Sequence, residues 1–398
     1  MKKEVFSMTD ESRLTILQRT VAAKGLNLFI VTSEENIQYL TGISYKPLER
    51  PFFILVRPQQ KPDLLVPAME REHLSQIDGI GKVHTYWDYP APDGQGWNNA
   101  LLNLMAEDKH IGIEPSMPVE LYAGIRDHNP SILPLVEEMR LIKSPREIAM
   151  LRHAARYSLN AVKQVIDSSY YGCSLVELFS LGRNTALMML KEVGYDAVLS
   201  SVLVGAWPAP GSAMPHDVPL PSTILRDGPH IALALMRVHG YCAECERTYF
   251  LAPPSAEVRN AFEAMNEARK IAFKLLKPGV ACEALDEAVN GYLRKQGYGE
   301  NLLHRVGHGF GLSTHERPWV AAGCKTILRP NMLISIEPGI YIPGTGGIRH
   351  SDTILITNEG YENLTPYPVD LESLIIKEKR IIKKILWSVK SKLAGLSF

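Results

Sequence analysis

A net charge of either sign is absent from this chain: Lys+Arg and Asp+Glu both total 43 over 398 residues. No chain-wide basic field exists to hold a phosphate backbone, which excludes nucleic acid as a partner. Cysteine is scarce, five residues at positions 173, 242, 245, 282 and 324, odd in number and scattered. That pattern excludes a disulfide framework and fits a reducing, cytoplasmic setting. No uncharged stretch approaches the ~18–20 apolar residues of a membrane span, and the opening segment lacks the apolar core of a signal peptide. A soluble, cytoplasmic protein is expected. Low-complexity tracts and short-period repeats are missing as well, which excludes solenoids and fibrous arrays. What remains is an ordinary globular composition, 45% hydrophobic and 22% charged, at a length that calls for two domains.

Patterning divides the chain near residue 140. Residues 10–24 read as a helix, and Leu28–Val31, Phe52–Val56, Leu64–Val66 and Ile111–Ile113 are short apolar runs bounded by turn residues. Together they predict a small mixed α/β domain over 1–140. Ser144-Pro145-Arg146-Glu147 is an N-cap followed by Pro at the first helical position and an acid at the third, so a new helix starts there. Helical patterns at 146–167 and 175–193 precede strand-like stretches at Val198–Leu203, Ile231–Met236 and Gly240–Leu251. The order then repeats: helices at 256–276 and 282–297, a Gly/His-rich turn, and strands at Leu333–Glu337, Ile348–Arg349 and Thr353–Ile356. An α+β domain over 141–370, with a curved antiparallel sheet around a site, follows.

Residues 371–398 form a basic tail, seven Lys/Arg against Glu372 and Glu378. Ile375, Ile382, Leu386, Val389 and Leu393 recur at helical spacing. The tail reads as an amphipathic helix that packs on its own protein or frays, in preference to one that touches an anionic membrane.

Titratable residues concentrate in the second half. His216, in Pro215-His216-Asp217 of a Gly/Pro-rich loop, is placed to titrate near neutral pH and move a proton. In Gly240-Tyr-Cys-Ala-Glu-Cys-Glu-Arg-Thr248, strand alternation puts Glu244 and Glu246 on one face and Cys245 and Arg247 on the other. The same alternation separates Cys242 from Cys245 and argues against a zinc site there. Paired carboxylates need a cation, a metal or a shared proton. Gly307-His308-Gly309-Phe310-Gly311 lets backbone approach a ligand closely, with His315 seven residues beyond His308. Glu337 ends an apolar strand before Pro338-Gly339, where a buried acid needs a partner.

These motifs resemble the creatinase/aminopeptidase P/prolidase (M24) family along residues ~12 to 370, through Pro215-His216, Gly307-His308-Gly309, His315-Glu316, Ser335-Ile-Glu-Pro-Gly-Ile-Tyr341 and the linker Ile142-Lys-Ser-Pro-Arg-Glu-Ile148. The resemblance implies a pita-bread catalytic domain, a curved antiparallel sheet with covering helices, preceded by a smaller mixed α/β N-terminal domain. The family's metallopeptidase branch carries two metal ions on two Asp, one His and two Glu. Carried over residue by residue, those ligands fall on Leu233, Glu244, His308, Glu337 and Ser351. Leu233 and Ser351 are poor substitutes for carboxylates, which leaves one ion on Glu244, His308 and Glu337 as the metal-bound option.

The departures resemble the metal-free creatinase branch, through Glu246-Arg247-Thr248 and Leu48-Glu49-Arg50-Pro51. In that branch two carboxylates hold a guanidinium, here Glu246 and Glu337. A loop His, here His216, moves the proton, and an Arg from the partner subunit, here Arg50, grips the substrate carboxylate. His308 and His315 join the catalytic set, and Arg349 and Glu244 join Arg50 as substrate-binding candidates. The expectation is a hydrolase of a C–N bond in a small amidine or amide-type substrate, without metal or other cofactor, acting as a homodimer. An Xaa-Pro aminopeptidase or dipeptidase with an incomplete metal site is the first alternative, and a non-catalytic binding protein that kept the pocket is the second.

Overall fold

The computed structural model describes residues 12–376 and residue 389. Two compact units divide between Arg140 and Leu141.

The N-terminal unit is built on strands β1 (Leu28–Val31), β2 (Phe53–Val56), β3 (Asp63–Pro67), β4 (Val83–Tyr86), β5 (Ile111–Ile113) and β6 (Ser131–Ile132). Their order is β4-β3-β2-β1-β5-β6, with β2 antiparallel to both neighbours and the outer pairs parallel. Every residue of β1 and β2 is buried, so both faces of the sheet are covered and the strands read as unbroken apolar runs. Short helices at Glu34–Thr41 and Trp97–Leu104 escape the apolar-run reading because each spans only about two turns.

In the C-terminal unit, the helix Pro145–Ser168 opens on a capping box between Ser144 and Glu147. Leu151, Ala154, Tyr157, Ala161, Val162 and Val165 line its buried stripe at helical spacing. Each large apolar member contributes roughly 1.5–3 kcal/mol on burial. The Ser158 hydroxyl donates to the Ala243 carbonyl at 2.9 Å and ties this helix to the sheet below. That sheet is antiparallel: β7 (Ser201–Pro208), β8 (His230–Val238) and β9 (Tyr241–Tyr249).

A second antiparallel sheet has the order β11-β10-β12-β15-β16, from β10 (Gly307–Gly309), β11 (Glu316–Val320), β12 (Leu333–Ile336), β15 (Asp352–Ile356) and β16 (Tyr361–Asn363). A hairpin of β13 (Gly339–Ile342) and β14 (Gly346–Arg349) lies between. An antiparallel bridge, Glu246 to Ser351, joins the two sheets. Helices Ala256–Leu275 and Cys282–Lys295 pack on each other and share one large core with the sheets.

Three local readings change. The expected Gly/His-rich turn is strand β10. A Cβ on Gly307 would lie 2.1 Å from the Ser335 carbonyl oxygen, and one on Gly309 2.2 Å from that of Arg317, so the glycines admit neighbouring strands on both sides. The expected helix at 175–193 breaks at Ser180, whose hydroxyl bonds back to the Glu177 carbonyl at 2.7 Å. The strand expected from Val198 begins at Ser201, because Asp196 accepts from the Val198 and Leu199 amides and holds a turn there. Among the described residues, no helix is long and apolar enough to cross a membrane. Of the expected tail helix, Ile375 bridges to Phe250, whereas Ile382, Leu386 and Leu393 lie outside the described residues.

Candidate active site

Strand register assembles the centre. On β9, Glu244 faces Leu235 of β8 and Glu246 faces Leu233, so two acids and two apolar residues share one face. On its other side Glu246 exchanges both backbone hydrogen bonds with Ser351, at 3.0 and 3.1 Å. Leu233, Glu246 and Ser351 therefore form one row, from β8 through β9 to the residue just before β15. The Ser351 hydroxyl donates to Glu244 Oε1 at 2.7 Å. Cys242 and Cys245 are both buried in separate apolar clusters.

Opposite β9 stand His308 of β10 and Glu337, just past β12. The His308 amide donates to Ser335 Oγ at 2.9 Å, and Ser335 Oγ donates to Glu337 Oε1 at 3.2 Å, which fixes the two side chains together. His308 Nδ1 lies 3.1 Å from the Gly309 carbonyl; donation there turns Nε2 toward the acids. That Nε2 lies 3.2 Å from Glu337 Oε1 and 3.9 Å from Glu244 Oε1. It is a buried polar atom without a hydrogen bond of good geometry among the described residues.

One ligand atom from each of Glu244, His308 and Glu337 lies within 4.8 Å of the others. Two carboxylates and an imidazole, dry and convergent on one point, suit a divalent cation. Burial, with the Glu337 and Glu246 carboxylates beside it, pushes Glu244 up to about 8. Against its own burial, Glu337 is held down to about 2 by His308. Burial would lower the His308 value, but the Glu337 and Glu244 carboxylates beside it together raise it. His315 stands beside His308, ring centres 4.0 Å apart.

Glu246 is already occupied. Both its oxygens are taken by Arg349, through Nε to Oε2 and through Nη2 to Oε1 at 2.7 Å. Arg349 Nη1 donates to the Tyr341 hydroxyl at 2.9 Å, and that hydroxyl lies 2.7 Å from His304 Nε2. Tyr341 and His304 were not among the expected site residues. Tyr341 closes the run Glu337-Pro-Gly-Ile-Tyr341, four residues after a buried acid, which is the signal that could have found it; His304 has none. With Arg349 bound to it, Glu246 is not an open carboxylate for an organic guanidinium, and Arg349 is a buried partner of Glu246 and not an open grip for substrate.

Two further acids are committed elsewhere. Asp352 is held by Arg247 at 2.6 Å and Arg269 at 2.6 Å, and Glu316 meets the buried Lys143 at 3.0 Å. His216 is exposed on its loop, close enough for its charge to depress His315 after burial and His308. The Trp207 indole pins that loop by donating to the Asp217 carbonyl at 2.7 Å. Arg50 lies in the N-terminal unit, where Asp88 at 2.6 Å and Glu49 at 2.5 Å flank its guanidinium.

Residues 149–358 match the profile of metallopeptidase family M24, and residues 13–142 match the creatinase/prolidase N-terminal domain. An uncharacterised peptidase of Staphylococcus aureus is 31% identical over 341 residues, covering 85% of this chain and 94% of that protein. Among solved structures, the prolidase of Thermococcus sibiricus is 28% identical with a TM-score of 0.78, covering 92% of this chain and 99% of the other. The Xaa-Pro dipeptidase of Bacillus anthracis is 25% identical with a TM-score of 0.74, covering 91% and 99%. The two-domain pita-bread fold follows. The expectation of a centre without metal is overturned: the matched family is one of metallopeptidases, and the likeness runs to prolidases. The missed clue was that Glu246 has its own cation, so the acids left over face a histidine nitrogen.

Proposed function

The chain belongs to metallopeptidase family M24, and from that premise we propose that it is a metal-dependent peptidase cleaving short Xaa-Pro-type peptides, as a dipeptidase or aminopeptidase. The convergence of Glu244, His308 and Glu337 carries this reading. A divalent ion held there supplies Lewis acidity at the scissile carbonyl. Around it, Ser335 fixes His308 and Glu337 in place, and Ser351 orients Glu244. His315, beside His308, and His216, at the exposed rim, are the groups to carry a proton to the departing nitrogen.

The solved relatives named prolidase and Xaa-Pro dipeptidase favour a peptide over an amidine substrate, and the Glu246–Arg349 pair weighs the same way. A homodimer, with the Arg50 loop of one copy completing the pocket of the other, belongs to the same reading. So does a cytoplasmic location, in keeping with five free cysteines, four of them buried. The test is a panel of Xaa-Pro dipeptides, non-proline dipeptides and longer Xaa-Pro peptides, assayed with chelator and after adding back Mn2+, Co2+ or Zn2+. Cleavage lost on chelation and restored by one of these ions supports the proposal. Cleavage indifferent to chelation refutes it, and no turnover of any peptide by a protein that still binds ions points to a binding role.

A further inference from the structure

We propose that the metal centre takes one ion per chain, and that Arg349 is the built-in cation that stands in for a second. This rests on the metallopeptidase reading, since it concerns how many ions the same cavity holds. In the row Leu233–Glu246–Ser351, only the middle residue carries a carboxylate. Its two strand neighbours, which the family resemblance aligns with metal-ligating acids, offer a methyl-tipped chain and a hydroxyl. The hydroxyl is spent on Glu244 at 2.7 Å. The one carboxylate of the row is closed by a bidentate guanidinium, the geometry that satisfies a carboxylate most completely. Tyr341 accepts from the far side of that guanidinium at 2.9 Å, so swinging it aside would break this bond together with both bonds to Glu246.

Charge balance selects the same number. Glu244, Glu246 and Glu337 bring three negative charges, Arg349 brings one positive, and all four side chains are nearly or fully buried. One divalent ion closes the balance. A second would leave an excess of two positive charges with no further carboxylate among these side chains to offset it, and burying uncompensated charge is costly. The carboxylate has in effect moved from the strand edges of the row to its centre, where it meets an arginine instead of a metal.

The test counts ions. Purified protein is stripped with chelator, equilibrated with excess Mn2+, and examined by native mass spectrometry and by electron paramagnetic resonance. The expected result is one Mn2+ per chain with the six-line spectrum of an isolated ion. Two per chain with a spin-coupled spectrum, the signature of ions ~3.5–4 Å apart, overturns the inference while leaving the peptidase reading intact. No bound Mn2+, Co2+ or Zn2+ overturns both. A second arm restores the missing acids: Leu233→Asp combined with Ser351→Glu is expected to raise the count from one to two. A folded double variant that still takes one ion overturns the inference. Should that variant not fold, the count on the unaltered protein decides alone.

Discussion

Two buried ionic clusters lie in the C-terminal unit, and they are completed to different degrees. At Asp352 every oxygen is matched: Oδ1 by Arg247 at 2.6 Å and Asn363 at 3.0 Å, Oδ2 by Arg269 at 2.6 Å. At Glu244, His308 and Glu337 acid exceeds cation, and a histidine nitrogen faces the acids without a hydrogen bond of good geometry. The closed cluster also serves the backbone, since Arg247 donates to the carbonyls of Glu246, Ser351, Thr365 and Tyr367. Saturated polar networks hold a fold in one arrangement, whereas an incomplete one asks for a ligand.

Removing the acid of the closed cluster gives the largest expected effect. Asp352→Asn leaves two guanidiniums in the interior without a counter-charge, and a loss of about 3–5 kcal/mol of stability is expected in urea unfolding. His308→Ala inverts that outcome: stability changes little, ion binding is lost, and kcat/KM falls by about 10³, the several kcal/mol that a Lewis acid contributes. Equal effects on stability from both substitutions would erase the distinction between the clusters.

The two clusters also predict opposite responses to acid. Burial alone would raise the Asp352 value, but Arg247 and Arg269 hold it down to about 2. A depressed carboxyl contributes stability that is full above its unfolded value and lost as pH falls through the folded one. Melting temperatures measured downward from pH 5 should fall steeply toward pH 2, and this limb should flatten in Asp352→Asn. Glu244 in ion-free protein is raised, first by burial and then by Glu337 and Glu246, to about 8. Its contribution is full on the acid side and lost as pH rises from about 4.5 to 8, so chelated protein should melt lower at pH 8 than at pH 5. Saturating divalent ion should remove that decline. The smallest effect is a control: Ser144→Ala breaks the capping box that starts the helix Pro145–Ser168. It should cost about 1 kcal/mol while leaving ion binding and both pH limbs unchanged.

The open cluster was more legible in the sequence than the closed one. Glu244, His308 and Glu337 lie in short motifs whose local geometry is nearly decided by residue type: alternation on a strand, glycines on either side of a histidine, an acid before Pro-Gly. Arg247, Asp352 and Arg269 come from three elements far apart in the chain, and nothing local marks them as partners. The same limit misled the reading of Glu246. Its place beside Glu244 on one strand face follows from period-two alternation, but its bond to Arg349 crosses 103 residues and depends on how β14 folds against β9. Without that pairing, two adjacent acids suggested an organic cation. Of the fold, β1, β5 and the helix opened by Ser144 were readable because burial on both faces or a cap leaves a local trace. Strand β10 was not, since glycines placed for close approach look like a turn.

The most direct test of the account is an anomalous-difference map from crystals grown with Mn2+. The account predicts a single peak per chain, about 2.0–2.4 Å from an oxygen of Glu244, an oxygen of Glu337 and Nε2 of His308. A map with no peak among these three residues, from protein that cleaves Xaa-Pro peptides under the same conditions, would contradict it.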